Sequence, residues 1–306
     1  MDIANLLQPF ANQLTYICSL VLATFAITII FKTSTTTNFA QGSVAAFGCY
    51  FGTSFLVNQN VPIWIAIILS VIFGIVLGVF IDLVIFRNGR YVNLVGKQII
   101  TMGLVTIIAN IIPILYFYPE EPFIPPFIEG EVYIPIGEST VRLSNHAIVS
   151  VVITVVVLVI LFLLLRFSKW GLGVRTTASN EYVAQMMGVN TYVITAASWG
   201  IAGGLGALAA LIYVSGPGGL TGPYFMTEFQ VNAFLAGILG GFGTFFGPVV
   251  AAVIIPLSKT IIGLFALIDG MTFLTSYQTV IVYVLLLIII LIKPNGLFGV
   301  KIAKKV

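Results

Sequence analysis

The sequence predicts an all-α polytopic membrane protein with about 8 to 9 transmembrane or re-entrant helices. Three observations predict it. Of 306 residues, 59% are hydrophobic and only 8% are charged, against about 25% charged in soluble domains. The mean hydropathy is +1.12. Several apolar runs reach the ~20 residues that a spanning helix needs. The remaining charges are dispersed, so the net charge of +3 carries no nucleic-acid signal. Cys18 and Cys49 both sit in apolar runs and read as small buried thiols, with no metal or disulfide framework implied.

Taken in order, the spans fall near 13–31, 40–57, 62–86, 98–118, 147–166 and 192–213. Two shorter segments follow near 229–241 and 247–267, and a last span near 274–292. The first run lacks the basic start of a cleavable signal and is long enough to stay as a helix; the only charge before it is Asp2. The second span opens on "TSTTTNFAQGSVAAFGCYFG", Thr33 to Gly52. A helix beginning with Asn38, Gln41 and Ser43, and carrying Gly42, Gly48 and Gly52, is a poor lipid-facing helix. Small residues allow close helix approach, and polar residues at membrane depth face a bundle interior or a water-filled path. Asn38, Phe39, Gln41 and Gly42 are therefore candidates for a translocation path.

The fourth and fifth spans are joined by residues 119–145, "PEEPFIPPFIEGEVYIPIGESTVRLSN". Its prolines stop helices. Val132–Ile136 and Thr140–Leu143, around Gly137, suit a small hairpin. The loop reads either as a docking surface or as a plain solvated loop.

The charges split by side. One face of the topology collects Lys32, Arg87, Arg90, Lys97, Arg166, Lys169, Arg175, Lys293, Lys301, Lys304 and Lys305. The other collects Glu120, Glu121, Glu129, Glu131, Glu138, Glu228 and Asp269, with Arg142 as its one clear base. The positive-inside rule makes the first face cytoplasmic and the C-terminus with it. The 119–145 loop is then extracytoplasmic, and residues 169–190 are cytoplasmic.

Residues 169–190 read "KWGLGVRTTASNEYVAQMMGVN". The first part reads as a glycine-broken exit from the membrane. Ser179 or Asn180 then serves as helix N-cap, Glu181 falls in the first turn, and Gly188 ends the helix as a left-handed residue. Tyr182, Val183, Met186 and Met187 share one face. A two-turn helix is unstable alone in water. It needs a surface, either its own protein, as a short connector, or a cytoplasmic partner that exposed methionines would suit.

Near the C-terminus, "LAGILGGFGTFFGPVVAAVIIPLSK", Leu235 to Lys259, is broken at Gly240–Gly241, Gly243 and Gly247–Pro248. The segment before the break is too short to span. The pair reads as a helical hairpin, partly re-entrant, which membranes tolerate only inside protein or along a water-filled cavity. Gly240, Gly241, Gly243 and Thr244 join the path candidates. Lys259, the one base well inside a predicted span, either snorkels to the outer interface or lines that path. Asp82 reads as a snorkelling or paired acid. No G-x-x-x-x-G-K-[ST] loop occurs, no metal-ligand cluster is spaced for an ion, and the single His146 excludes a Ser/His/Asp set.

Four motifs resemble the LivH-like permease subunit of branched-chain amino acid ABC importers. "NFAQG" (38–42) is similar to that family's N-F-A-x-G. "GLGVRTTASNEYVAQMMGVN" is similar to its cytoplasmic segment, with Arg175, Ala184, Gly188 and Asn190 matching. "LAGILGGFGTFFGPVVAA" resembles its glycine-rich hairpin and "KPNGLFG" (293–299) its C-terminal motif. Departures are Ser43 and Asn180 where acids are usual, Thr176 where alanine is usual, and the threonine-rich "KTSTTTNFA". The resemblance implies one permease domain over 1–306, in a bacterial or archaeal inner membrane. It also implies a homologous LivM-like second permease, two cytoplasmic ATP-binding subunits and an extracytoplasmic substrate-binding protein. ATP chemistry would belong to those partners, with no cofactor here, and residues 169–190 would hold the coupling helix. Branched-chain amino acids are the implied cargo, and relatives carry urea, short amides or other amino acids. Two other classes remain open on the residues alone. A self-sufficient secondary transporter or channel would need intramembrane acids, and only Asp82 is available. A scaffold without transport leaves the polar and broken segments unexplained.

Overall fold

A computed structural model describes residues 3–34, 36–89, 92–116, 118, 121–266, 271 and 273–299. Of the charges used above for sidedness, Arg90, Glu120, Asp269, Lys301, Lys304 and Lys305 lie outside the described residues. Among the described residues, seven helices are long and apolar enough to cross a membrane. They are α1 (Ile3–Ser34), α3 (Ile63–Ile81, continued by a π-helical turn Asp82–Phe86), α4 (Leu94–Leu115), α5 (Asn145–Phe167), α8 (Thr191–Tyr213), α10 (Phe246–Phe265) and α11 (Phe273–Ile292). The remaining helices are α2 (Gln41–Gln59), α6 (Lys169–Ser179), α7 (Glu181–Met186) and α9 (Thr227–Gly240). The nine predicted spans and half-spans thus all appear as helices, and the fold is that of a polytopic all-α membrane protein.

Three boundaries differ from the sequence expectation, each for a local reason. α1 begins at Ile3, well before the expected onset near 13. Its polar first turns have a partner: Gln8 Nε2 donates to the Arg142 carbonyl at 3.0 Å, and Gln8 Oε1 accepts the Arg142 N–H at 2.8 Å. Gln8 thereby closes an open strand edge of the predicted hairpin, which forms as β1 (Glu131–Ile136) and β2 (Ser139–Ser144), antiparallel about Gly137. α2 begins at Gln41, not at Asn38, because the Asn38 side chain accepts the Ala40 N–H at 2.9 Å and holds a turn. α4 begins at Leu94, earlier than 98, because Asn93 caps it by accepting the Gly96 N–H at 2.7 Å.

The expected glycine-broken exit at Lys169–Arg175 is instead helical, forming most of α6. Ser168 Oγ accepts the Gly171 N–H at 3.0 Å and starts it. Gly171 lies against the Leu164 and Leu165 carbonyls and Gly173 against the Ile194 side chain, where a Cβ would collide. These glycines permit packing and do not break the chain.

Burial arranges the helices. In α1 and α8, 78% and 83% of the most apolar stretch is buried, against 22% in α5 and 11% in α11. α1 and α8 pack on each other at the centre, while α5 and α11 present apolar side chains outward. Helices in lipid associate through close van der Waals contact at small residues. That is how α3 crosses α8, with Gly74 on Gly203 and Gly78 on the Trp199 carbonyl. α2 joins through Gly48 on Ala207 and Gly52 on Ser70.

The bundle has two unlike ends. At one, Thr33, Ser34, Asp82, Arg87, Lys97, Glu181 and Tyr192 surround a small polar cavity. Lys32 at the same end of α1 donates to the Gly243 carbonyl. At the other end lie the β hairpin, the start of α1 and the chain from Val214 to Met226. Lys32, Arg87 and Lys97 thus share one end, and Arg142 lies at the other.

Candidate functional site

α7 is built from its ends. Of the two candidate caps, the structure selects Asn180, whose Oδ1 accepts the Tyr182 and Val183 N–H groups at 3.0 and 3.1 Å. Ser179 instead ends α6. Glu181 occupies the first turn. At the other end Gly188 has φ +83°, its N–H reaches the Gln185 carbonyl at 2.9 Å, and the Val189 N–H reaches the Ala184 carbonyl at 3.0 Å. This is the paired bonding of a Schellman stop, which favours glycine at that position. Ala184, 3% exposed, turns α7 onto the bundle, while Gln185 Nε2 donates to Thr191 Oγ1 at 2.9 Å. Tyr182, Val183, Met186 and Met187 are 71%, 52%, 75% and 80% exposed. Arg175 lies apart from that face and donates to the Arg166 carbonyl at 3.4 Å, in the last turn of α5.

The "NFAQG" residues are held from several sides. Asn38 Nδ2 donates to Gln41 Oε1 at 3.2 Å, and Gln41 Nε2 donates to the Ala202 carbonyl at 2.8 Å. The Gly42 N–H reaches Gln230 Oε1 at 2.7 Å, and the Phe39 N–H reaches Thr101 Oγ1 at 3.2 Å. The Phe39 ring lies 5.3 Å from that of Phe234. Ala202 sits halfway along α8, about 17 Å from its start at 1.5 Å per residue. The non-helical turn therefore lies halfway through the bundle. Irregular backbone at that depth must be buried in protein or line water. Here it is buried, with Asn38 and Gln41 1% and 3% exposed.

The hairpin packs against this turn. α9 has 14 residues, about 21 Å, which falls short of the ~30 Å hydrocarbon core. Gly240 and Gly247 meet backbone to backbone, Gly241 ends α9 at φ +85°, and Thr244 Oγ1 accepts the Gly247 N–H at 3.1 Å. Gly243 receives Lys32. The C-terminal motif docks on the same turn: the Leu297 N–H donates to the Leu239 carbonyl at 2.7 Å and the Phe298 N–H to that of Gly240 at 3.3 Å. Lys259 is partnered. It pairs with Glu228 at 3.4 Å, with its own side chain 14% exposed. Tyr16 also donates to Glu228 at 3.3 Å, Asn232 Nδ2 donates to Tyr16 Oη at 2.7 Å, and Tyr283 Oη donates to Asn232 Oδ1 at 2.9 Å.

The structure thus brings Asn38, Phe39, Gln41 and Gly42 against α9, and Gly240, Gly241, Gly243 and Thr244 against the chain end. α7 stands apart at the basic end, and Lys259 sits in a separate polar cluster. Of a further cavity beside Tyr50, Tyr116 and Tyr118, at the hairpin end, sequence reasoning named only Glu121, for sidedness, and the 119–145 loop as a possible docking surface. The aromatic run "YFY" at 116–118 is its one visible signal.

The family model described as the permease component of branched-chain amino acid transport systems matches residues 10–291. The chain is 25% identical to the high-affinity branched-chain amino acid transport system permease protein BraD of Pseudomonas aeruginosa, over 97% of each chain. It is 22% identical to LivH of Escherichia coli, over 96% of this chain and 95% of that one. It is 25% identical to a probable LivH of Methanocaldococcus jannaschii, over 92% of this chain and 89% of that one. No solved structure matches the chain.

Proposed function

The chain belongs to the permease-component family of branched-chain amino acid transport systems, and from that premise we propose that it is the membrane-spanning subunit of an ATP-driven importer. On this proposal residues 1–306 form one permease domain that pairs with a homologous LivM-like permease. It takes branched-chain amino acids from an extracytoplasmic binding protein and passes them inward. The relatives' own names, which specify branched-chain amino acid transport, support the cargo. ATP hydrolysis belongs to two partner subunits at the basic, cytoplasmic end. Residues 169–190 form the coupling segment, and the buried turn 38–42, with the hairpin beside it, is the closed middle of the path.

One observation carries the coupling role. α7 is six residues long, capped at both ends, and presents two methionines, a tyrosine and a valine to the surroundings. A helix that short does not persist on propensity. Its buried face is a single alanine, so the apolar exposed face has the character of a contact surface.

The test is Gly188→Pro, alongside the double change Met186→Asp and Met187→Asp, in the full importer. Proline cannot adopt φ +83° or donate the N–H that closes the helix. Both variants should stay in the membrane, lose co-purification with the ATP-binding subunits, and lose labelled leucine uptake by at least about ten-fold, near 1.4 kcal/mol. Wild-type uptake by both would sink the coupling role.

A further inference from the structure

We infer that the cavity between α2, α4 and the 219–224 loop is a binding site for an amino acid with an apolar side chain, held chiefly by its ammonium group. The cavity measures about 290 Å³. That is the lower end of the ~300–1,000 Å³ that small-molecule sites occupy, and it suits a ligand of amino-acid size. It opens at the hairpin end, where substrate would arrive on the importer reading.

Its wall is aromatic. The Tyr50 ring lies 6.2 Å from that of Tyr116 and 6.3 Å from that of Tyr118, at interplanar angles of 23° and 16°. Tyr50 is itself buried, at 5% exposure, and so is a fixed part of the wall. Aromatic faces attract cations and offer little to anions. Among the described residues, Glu121 is the one charged residue lining the cavity, and no base lines it. Rings and a carboxylate without a counter-base make a site for a positive group. Pro113, Pro122 and Pro223 supply an apolar side to receive a hydrocarbon side chain.

The loop on the far side of the cavity contributes Leu220, Thr221, Gly222 and Pro223 to its lining, and turns through left-handed Gly219 and Gly222 at φ +63° and +96°.

The site rests on the importer reading only for the choice of leucine as probe. The experiment is radiolabelled leucine binding to the whole chain in lipid nanodiscs, by scintillation proximity, with two competitors. 3-Methylbutylamine keeps the ammonium and the branched side chain, and 4-methylpentanoate keeps the carboxylate and the branched side chain. The amine should displace leucine at least about ten-fold better than the acid. Glu121→Gln, at an exposed rim position that should not disturb folding, should weaken amine competition. Equal displacement by the acid, indifference to Glu121→Gln, or absence of leucine binding would each overturn the site. Amine displacement without ATP-dependent uptake in the assembled complex would leave the site standing and remove the importer reading. Uptake without amine displacement would do the reverse.

Discussion

At the scale of single residues, the polar side chains inside this chain are informative because lipid offers them no partners. Asn232 is 0% exposed and uses both ends of its amide, donating to Tyr16 and accepting from Tyr283. Asn232→Ala leaves two hydroxyls short of a partner, and each such loss costs about 1–3 kcal/mol. The nearby Lys259–Glu228 pair is different, because Glu228 is 62% exposed. Partly solvated ion pairs contribute about 0–1 kcal/mol. Thermal unfolding in detergent should therefore show a clear drop in midpoint for Asn232→Ala and a small one for Glu228→Gln. A larger loss for Glu228→Gln would mean that the ion pair, and not the amide, ties α1, α9 and α11 together. Sequence alone marked Lys259 as a base inside a span. It could not supply the acid, because Glu228 belongs to the preceding helix and the pairing depends on how α9 and α10 fold back.

Helix ends were legible only in part. Asn93, Asn180 and Asn190 each accept a backbone N–H at a helix start, but sequence reasoning names a cap only at Ser179 or Asn180 and starts α4 near 98, because an asparagine outside the apolar run does not by itself mark where the helix begins. Glycine is not so readable. Gly171 and Gly173 suggested a break by their low helix propensity, yet they lie inside α6. Their role is set by the Leu164 carbonyl and the Ile194 side chain, neither of which sequence spacing places beside them. For α7 the cap makes a clean prediction. Asn180→Ala should cost about 1 kcal/mol of local helix stability, raising amide exchange across 181–188 while the bundle helices keep their protection. Uniformly faster exchange throughout would show that α7 unfolds only with the whole protein. No change at all would show that packing of Ala184, and not the cap, holds the helix.

For the whole molecule, the separate sequence motifs acquire a common geometry. "LGGFG" and "PNGLFG" looked independent, but Leu297 and Phe298 bond to Leu239 and Gly240, and Lys32 reaches Gly243 beside them. The buried turn 38–42 lies on the other side of α9, at Gln230 and Phe234. The tyrosine cavity lies toward the hairpin end and the exposed face of α7 at the opposite end. On the proposed importer reading, access comes from the hairpin end and stops at the buried turn. Single cysteines test both the closure and the sidedness, since the native Cys18 and Cys49 are buried. In intact cells an impermeant maleimide should label Glu138→Cys and Thr221→Cys, which are both exposed at the hairpin end. Met187→Cys should react only after the membrane is opened, since the proposed topology turns the basic end inward. Ser43→Cys, a near-isosteric change at a 7% exposed position, should stay protected in both conditions until the ATP-binding subunits turn over. Early labelling of Met187→Cys would invert the topology. Labelling of Ser43→Cys at rest would mean that the path already runs open past the turn, and that the glycines of the hairpin do not close it.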